Sequence, residues 1–402
     1  MTRRGRLDVA IVGGGVVGTA AALALAKLGL DVALVEGIVP TVWLAERRDL
    51  RVYAFAPDNA TFFDALGIWR DIVSARAQPY RQMRVWDAAG GGELAFDADA
   101  FGRRELGWIV EHNLLVDRLW AALPAAGVRV HCPARVQGLE QDDAGVRLQL
   151  DDGAHIDARI ALAADGAEST LRGLAGLEVD RHDYVQRGIV AYVATDQPHQ
   201  DTAWQRFLPG GPLALLPCTD TAGDSPATKG CRSSIVWTLP EDEASRLLAL
   251  DEGAFNRELT QAFDARLGQT TLLSARAAFP LRRQLVRDYV RGRVLVLGDA
   301  AHVVHPLAGQ GVNLGLRDAV ALRDAIVAAL AARADWTAPS RLARWARTRK
   351  SENAMAAHAF DGINRVFSSD SVAATLLRGP VLGLAGRVPP LAQLFWRRAS
   401  GT

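Results

Sequence analysis

Cysteine is scarce in this chain of 402 residues. Cys132, Cys218 and Cys231 form neither a CxxC pair nor an even set, so they indicate free thiols in a reducing compartment. A charge of one sign is also missing, because 46 lysines and arginines nearly balance 45 aspartates and glutamates and leave a formal charge of +1. Since this balance offers no footprint for a polyanion, we expect no nucleic-acid partner.

Long hydrophobic runs are missing as well. No stretch of about twenty uninterrupted apolar residues occurs, so we expect no membrane-spanning helix. The apolar run near the N-terminus is interrupted at once by glycines 13–15, which argues against a secretion signal. With 49% apolar residues the chain can still bury a sizeable core. We therefore expect a cytoplasmic protein with more than one structural unit.

The patterns that are present predict an α/β fold. A β-branched run at 8–12, an alanine-rich helix at 16–28 and an apolar run at 31–36 form a strand–helix–strand unit with parallel strands. Helices are predicted at 58–66 and 111–123, a hairpin over 128–150 and a buried strand at 156–164. Strand-like runs at 188–195, 204–208, 212–217 and 233–239 predict an inserted antiparallel sheet. The first unit resumes at 294–297 and continues into a long helix from about Asn313.

These elements predict three structural regions. A discontinuous Rossmann-like dinucleotide-binding domain takes residues 1–75, 105–180 and 276–335. A mainly antiparallel β-sheet substrate domain takes residues 76–104 and 181–275, and a helical C-terminal region takes residues 336–402.

The first chemical motif is GxGxxG, formed by Gly13, Gly15 and Gly18 between a strand and a helix, with Glu36 at the end of the next strand. Glycines allow a tight turn and let the backbone approach a pyrophosphate at the helix N-terminus, while the acid accepts hydrogen bonds from ribose hydroxyls. A glycine-rich turn without a ligand is the alternative. The full context predicts a dinucleotide site without separating FAD from NAD.

The second motif, Asp165-Gly166-Ala167-x-Ser169-x-x-Arg172, follows a buried strand. By itself it is more typical of an ordinary strand–turn–helix with a serine or threonine cap than of a ligand site.

The third motif runs from Gly298 to Gly315 and lies between a strand and a helix. Asp299 is placed to accept a hydrogen bond from a ribityl hydroxyl, and the helix that starts after Gly311 can stabilise negative charge on a reduced flavin. His302 and His305 have the spacing of a metal pair. Pro306 and the glycines argue against a helix there, and no third ligand is near, so we predict no metal site.

In this order the three motifs resemble the flavoprotein aromatic hydroxylases related to p-hydroxybenzoate hydroxylase. The third motif, continued as Leu316-Arg317-Asp318, resembles the ubiquinone-biosynthesis (UbiH-type) branch, as do the segments 49–54, 66–69, 108–111 and 211–217. The resemblance covers nearly the whole chain. It implies FAD, NAD(P)H as the electron donor, and O2. The implied reaction hydroxylates an aromatic ring through a flavin C4a-hydroperoxide, and the implied substrate is a polyprenylated phenol.

The resemblance also implies roles for individual residues. Gly13, Gly15, Gly18 and Glu36 would hold the ADP half of FAD, with Arg51 near the pyrophosphate and Val136 at the adenine. Gly298 and Asp299 would lie at the ribityl and pyrophosphate region, and Gly311, Val312 and Asn313 would face the isoalloxazine. Asp165 and Gly166 are associated in the family with both FAD and NAD(P)H. His112 stands where relatives commonly place Asn or Gln, and Asn113 is the alternative contact. The segment 55–57 also departs from the family pattern.

Fewer residues indicate the substrate and the catalyst. We expect Tyr192, Gln205, Phe207, Leu215 and Pro306 to line the substrate side. No Ser-His-Asp elbow or carboxylate pair is present, and His305 is the one candidate acid or base, with loop packing as its alternative.

The tail at 376–396 mixes apolar residues with arginines. It predicts either peripheral contact with the inner membrane, where other ubiquinone-biosynthesis proteins would be met, or a helix packed on the body. Three rival functions stay open at this point: a hydroxylase of a small soluble aromatic acid, a flavin reductase, and a non-catalytic FAD-bearing scaffold subunit.

Overall fold

A computed structural model of the protein describes residues 6–88, 93–220, 228–305 and 310–368. The strands of these residues are β1 (Leu7–Val12), β2 (Val32–Val35), β3 (Val52–Phe55), β4 (Ala77–Tyr80), β5 (Gln82–Asp87), β6 (Glu93–Asp97), β7 (Gly107–Glu111), β8 (Arg129–His131), β9 (Val136–Gln141), β10 (Val146–Leu150), β11 (His155–Ala163), β12 (Val179–Thr195), β13 (Thr202–Leu208), β14 (Gly211–Pro217), β15 (Arg232–Pro240), β16 (Thr270–Leu272), β17 (Ala277–Val286), β18 (Val290–Arg291), β19 (Val294–Val296) and β20 (His302–Val303).

The helices are α1 (Val16–Ala26), α2 (Pro57–Leu66), α3 (Trp69–Arg76), α4 (His112–Ala122), α5 (Thr170–Leu174), α6 (Glu241–Ala249), α7 (Glu252–Ala262), α8 (Gln310–Ala331) and α9 (Pro339–Ser368). Short 3-10 turns lie at Asp99–Phe101 and Gly298–Ala300. No helix in these described ranges is long and apolar enough to cross a bilayer.

An eight-stranded sheet carries the first motif. Its order is β18-β19-β11-β1-β2-β8, with the hairpin β9–β10 added beside β11. The inner strands β2, β1, β11 and β19 are parallel. Strands that are covered on both faces need continuous apolar runs, and β1 and β2 are buried along nearly their whole length. The predicted Rossmann-like unit and its hairpin are confirmed.

A nine-stranded sheet forms the second layer, in the order β20-β17-β12-β15-β14-β13-β5-β6 with β16 beside β12. Its pairs are antiparallel except β5–β13. The predicted inserted sheet is therefore confirmed. One predicted limit needs correction, because β17 pairs with β12 and so lies in this sheet, although residues from 276 onward were assigned to the dinucleotide-binding part. The division into domains stays a prediction.

The two faces of the nine-stranded sheet have different neighbours. One face packs on α6 and α7 in a core that includes Leu213, Leu215, Phe255 and Leu259. The other face is turned toward a large cavity. Helices α6 and α7 are not among the predicted elements, although Asp251 caps α7 by accepting a hydrogen bond from the Ala254 N–H.

A third sheet has three strands in the order β3-β7-β4, and these strands come between β2 and β8 in the sequence. The long helix α8 follows the third motif, and α9 confirms that the C-terminal region is helical as far as Ser368. The predicted tail segment at 376–396 lies outside the described residues.

Candidate active site

One cavity of about 1160 Å³ is lined by residues from the eight-stranded sheet, the nine-stranded sheet, β3 and the start of α8. Typical small-molecule sites have volumes of about 300–1,000 Å³. The cavity therefore has room for a dinucleotide and a second ligand together.

Each glycine of the first motif is required for a different physical reason. Gly13 has φ +110°, and a Cβ there would lie 2.3 Å from the Ala164 carbonyl oxygen. A Cβ on Gly18 would lie 2.0 Å from the Gly13 carbonyl oxygen, so α1 could not pack this close to the turn. Gly15 is different, because a Cβ there meets no atom within 4 Å and would project into open space at the cavity. Two of these glycines serve packing, and Gly15 leaves room for a ligand.

The N-terminus of α1 faces this space. Gly15 is the N-cap and no side chain caps the helix, so its first N–H groups are available to an anion. Val16 and Val17 at the start of the helix line the cavity. This end of α1 can bind a pyrophosphate.

Glu36 closes the turn at the end of β2. One carboxylate oxygen accepts a hydrogen bond from the Gly14 N–H at 2.6 Å, and the other accepts one from the Ile38 N–H at 2.9 Å. A carboxylate has about four acceptor positions, so Glu36 can still accept from ribose hydroxyls. Val136, the first residue of β9, lines the same end of the cavity.

Arg51, Tyr53 and His112 form a second group on the cavity wall. The guanidinium of Arg51 lies 5.3 Å from the Tyr53 ring centroid, and the Tyr53 hydroxyl lies 3.0 Å from Nδ1 of His112. Burial lowers the pKa of His112 to about 4, so its imidazole is neutral at pH 7. Asn113 is not among the lining residues; its N–H donates to Asp49 at 3.0 Å.

The second motif forms a capped strand–turn–helix, and its first residues line the cavity. Asp165 lines the cavity and accepts hydrogen bonds from Ser169 Oγ and, at 2.8 Å, from the Thr170 N–H. Burial raises the pKa of Asp165. Ser169 is the N-cap of α5, as in an ordinary strand–turn–helix. Arg172 is buried and donates to the Ala300 carbonyl at 2.9 Å, so the second motif supports the third.

The third motif places Asp299, Gly311 and Val312 on the cavity wall. Gly311 resembles Gly15, since a Cβ there would meet nothing within 4 Å. Gly298 has φ +57° and packs against Val17 of α1. Pro306, which we expected on the substrate side, lies outside the described residues.

Asn313 does not line the cavity, although we expected it to face the flavin. Its Oδ1 accepts hydrogen bonds from the Ala56 N–H at 3.0 Å and from Asn59 at 2.8 Å, and its Nδ2 donates to the Ala54 carbonyl at 2.8 Å. The side chain therefore holds the first turn of α8 against the connection between β3 and α2. This contact also fixes the segment 55–57 that departs from the family pattern.

Beneath the third motif lies a buried polar network. Asp318 accepts hydrogen bonds from His302 Nε2 at 2.7 Å, the Gly298 N–H at 3.1 Å, Arg349 Nε at 2.7 Å and Asn353 Nδ2 at 2.8 Å. Burial by itself raises the pKa of Asp318, but His302 and Arg349 beside it hold that pKa below its usual range. His302 thus has a structural partner, and the described residues contain no cluster that could hold a metal ion.

The nine-stranded sheet contributes a separate part of the lining, which we call the sheet wall. Its members are Met83, Val190, Ala203, Trp204, Gln205, Pro212, Ala214, Leu216, Val236, Thr238, Ala277, Ala278, Phe279 and Val303. None of these described side chains is charged. Tyr80 of β4 lies beside them, and burial raises the pKa of its hydroxyl to about 12, so it stays protonated.

Residues 6–357 match the family described as FAD binding domain. The chain is 37% identical over 399 residues to the ubiquinone hydroxylase UbiL of Rhodospirillum rubrum, which covers 98% of this chain and 90% of that protein. It is 33% identical over 396 residues to the 3-demethoxyubiquinol 3-hydroxylase of Escherichia coli, with 98% of each covered. The chain belongs to the FAD-binding family of flavoprotein monooxygenases.

The fold of this flavoprotein monooxygenase is also that of solved relatives. The p-nitrophenol 4-monooxygenase PnpA from Pseudomonas putida matches with a TM-score of 0.77 at 21% identity, over 98% of both chains. The Klebsiella pneumoniae HpxO structure complexed with FAD and uric acid matches with a TM-score of 0.70 at 19% identity, over 97% of both chains. At these identities the likeness concerns the fold.

FAD is the cofactor of the family, and the residues present fit it. Gly15 and Gly311 leave open backbone on the cavity wall, and the uncapped start of α1 suits a pyrophosphate. The other lining residues that the sequence had indicated are Gly13, Glu36, Arg51, His112, Val136, Asp165, Asp299 and Val312. Gly18, Gly298 and Asn313 lie behind this lining and shape it. Their individual contacts with FAD stay predictions.

The predicted substrate residues are only partly brought to the cavity. Gln205 lines it. Leu215 is corrected, because alternation along β14 turns it into the core on the opposite face of the sheet. Tyr192 packs beneath Arg48 and donates to the Asp49 carbonyl at 2.8 Å, and Phe207 packs with Val85. Neither side chain is part of the lining.

His305, the candidate acid or base, is also absent from the cavity lining. It is buried with its ring 5.2 Å from that of Tyr184, and burial lowers its pKa to about 4. Both ring nitrogens are buried without a hydrogen-bond partner among the described residues. These surroundings favour the packing alternative.

Most of the sheet wall, including Ala214, Val236 and Thr238, is not among the residues that the sequence indicated. Successive side chains of a strand point to opposite faces, so alternate residues of the predicted strands had to face the cavity. Both faces of these strands are apolar, however, so the sequence did not show which set of residues meets the ligand.

Proposed function

We propose that this monooxygenase hydroxylates the ring of a polyprenylated phenol in ubiquinone biosynthesis, using FAD, O2 and NAD(P)H. The names of the relatives at 37% and 33% identity support a substrate of this class. The observation that carries the proposal is the uncharged sheet wall.

The sheet wall fits a neutral, apolar ring better than a small aromatic acid. A buried carboxylate needs a cationic partner, because an unpaired charge in an apolar site is strongly unfavourable. The arginines of the lining, Arg51 and Arg135, come from the part of the cavity beside Glu36, Tyr53 and His112 and not from the nine-stranded sheet. Alanine and valine at Ala203, Ala214 and Val236 leave space for a bulky substituent.

When bound, FAD supplies the oxygen-activating redox chemistry that side chains lack. The chain's own residues bind, orient and exclude water. The uncapped end of α1 binds phosphate, Glu36 accepts from ribose, and the N-terminal turn of α8 presents its positive dipole end to the cavity. The sheet wall covers the substrate side with apolar groups, which keeps water from the reacting ring.

The test is turnover of the FAD-loaded protein with 2-farnesylphenol and, separately, 4-hydroxybenzoate, with NADH or NADPH as donor. The expected result is a farnesylphenol product heavier by one oxygen atom and no product from the acid. In the variant Ala214→Trp the larger side chain fills the space beside the sheet wall. This variant should lose turnover but keep FAD bound, which shows that it is folded. Turnover of the acid alone would refute the proposed substrate, and bound FAD without any oxygenated product would indicate a scaffold subunit.

A tail contact with the membrane and with other biosynthetic proteins remains part of the proposal. Residues 369–402 are outside the described structure, so this part is supported by their sequence alone. Sedimentation with vesicles of anionic lipid, compared between the full chain and a chain truncated after residue 368, tests it.

A further inference from the structure

Gln205 is a polar side chain of the sheet wall. It lies on β13, is 7% exposed, and lines the cavity. No described residue makes a hydrogen bond with its side-chain amide. By contrast, Gln284 of β17 is fully buried, donates to the Ala167 carbonyl at 2.9 Å and accepts from Arg181 Nε at 3.0 Å.

The residues that stand directly beside Gln205 on the neighbouring strands are apolar, and Val85 is its neighbour on β5. Ala214 stands directly opposite on β14, and Val236 stands opposite Ala214 on β15. An amide carries two N–H donors and an acceptor oxygen. Neither polar atom of the Gln205 amide is sealed from the cavity, so a ligand bound there can complete its hydrogen bonds.

We infer that the Gln205 amide binds an oxygen substituent on the aromatic ring of the substrate and thereby selects oxygenated rings. The inference rests on the proposed function, since it takes the ligand of the sheet wall to be a phenol. The amide suits this task because it can accept from a phenol hydroxyl and also donate to the oxygen of a hydroxyl or methoxyl group. Gln205 is thus a specificity-determining residue set in an apolar wall.

The test compares the binding of two probes that differ by one oxygen, 2-farnesylphenol and farnesylbenzene, to the FAD-loaded protein. The dissociation constants are measured from the change in flavin absorbance for the wild type, for Gln205→Leu and for Gln205→Met. Gln261→Leu, the same change at an exposed position of α7, is the control.

The wild type and the control should bind the phenol about 3- to 10-fold more tightly than the hydrocarbon, which is the effect of one hydrogen bond. In Gln205→Leu and Gln205→Met the ratio should fall to about one, with the hydrocarbon bound as well as before or better. A general structural defect would weaken both probes and leave the ratio unchanged.

If either folded variant keeps the wild-type ratio, the inference is overturned and the proposed function stands. If the wild type binds neither probe, the proposed function is overturned together with the inference. Gln205→Met, which keeps the unbranched shape, covers the case in which Gln205→Leu does not fold.

Discussion

Asp318→Asn tests whether the buried network beneath the third motif holds the fold together. Each carboxylate oxygen of Asp318 accepts two hydrogen bonds, one pair from Arg349 and Asn353 and the other from His302 and the Gly298 N–H. The amide nitrogen of asparagine cannot accept, so two of these four contacts are lost. Arg349 also loses its buried counter-charge and keeps only Asn353 and the half-exposed Glu352.

The expected loss follows from two independent magnitudes. A hydrogen bond to a charged group contributes about 1.5–3 kcal/mol, and removing one partner of a buried ion pair costs about 3–5 kcal/mol. Two lost hydrogen bonds correspond to about 3–6 kcal/mol and the broken ion pair to about 3–5 kcal/mol. We therefore expect a loss of about 3–5 kcal/mol in the free energy of unfolding. With an unfolding entropy of about 2.1 cal/mol/K per residue over the whole chain, the melting temperature should fall by about 4–6 °C.

The assay is thermal unfolding of the FAD-loaded protein, with the wild type and Asp324→Asn as references. Asp324 lies on the same helix, its side chain is 60% exposed, and it pairs with its neighbour Arg323, so this control should lie within about 1 °C of the wild type. Adding Arg349→Met to Asp318→Asn should recover part of the loss, because it removes the orphaned charge. An Asp318→Asn melting temperature that equals the control's would refute the reasoning.

Three further predictions concern the lining, the buried histidine and the sheet. In FAD titrations Gly15→Ala should weaken FAD binding at least about tenfold, and in thermal scans it should leave the melting temperature of the FAD-free protein unchanged. Gly18→Ala should instead destabilise the protein by about 1–3 kcal/mol. Equal behaviour of the two variants would contradict the separate roles of the two glycines. Because burial lowers the pKa of His305 to about 4, the unfolded chain takes up a proton below about pH 6.5 that the folded chain does not, so stability is lost as the pH falls. Between pH 6 and 5 the wild type should lose up to about 1.4 kcal/mol more per pH unit than His305→Gln in urea unfolding, and parallel curves would show that the buried imidazole is not responsible. Leu215→Ala should lower the free energy of unfolding by about 2–5 kcal/mol and leave KM for farnesylphenol nearly unchanged. Ala214→Trp should abolish turnover and leave the stability nearly unchanged. If Leu215→Ala impaired turnover or Ala214→Trp impaired stability instead, the cavity would lie on the other face of the sheet.

The parts of the fold that depend on neighbouring residues were predictable from sequence. The glycine turn at Gly13, the acid at Glu36 and the strand before Asp299 use short-range signals, since a strand, a turn and a helix N-terminus are all encoded within a few residues. The paired helices α6 and α7 had such a signal too, through the cap at Asp251, and could have been predicted.

The parts that depend on distant contacts were not predictable. Tyr192 and Phe207 lie at strand positions whose side chains point to the cavity side of the sheet. Arg48, however, covers Tyr192, and Phe360 of α9 packs against Phe207. Likewise the Asn313 side chain makes hydrogen bonds with backbone groups that are more than 250 residues away in the sequence. It therefore positions the start of α8 and does not line the cavity. No local pattern in the sequence contains this information.

The side chains of strand β14 point alternately to the cavity and to the core. Pro212, Ala214 and Leu216 meet the ligand space, while Leu213 and Leu215 lie in the core with α6 and α7. Substitutions at the even-numbered positions can therefore alter which rings are accepted without disturbing folding, which makes this strand a natural place for substrate range to diverge during evolution. An insertion of a single residue would exchange the two sets at once, so drift here can proceed by replacement but not by changes in length.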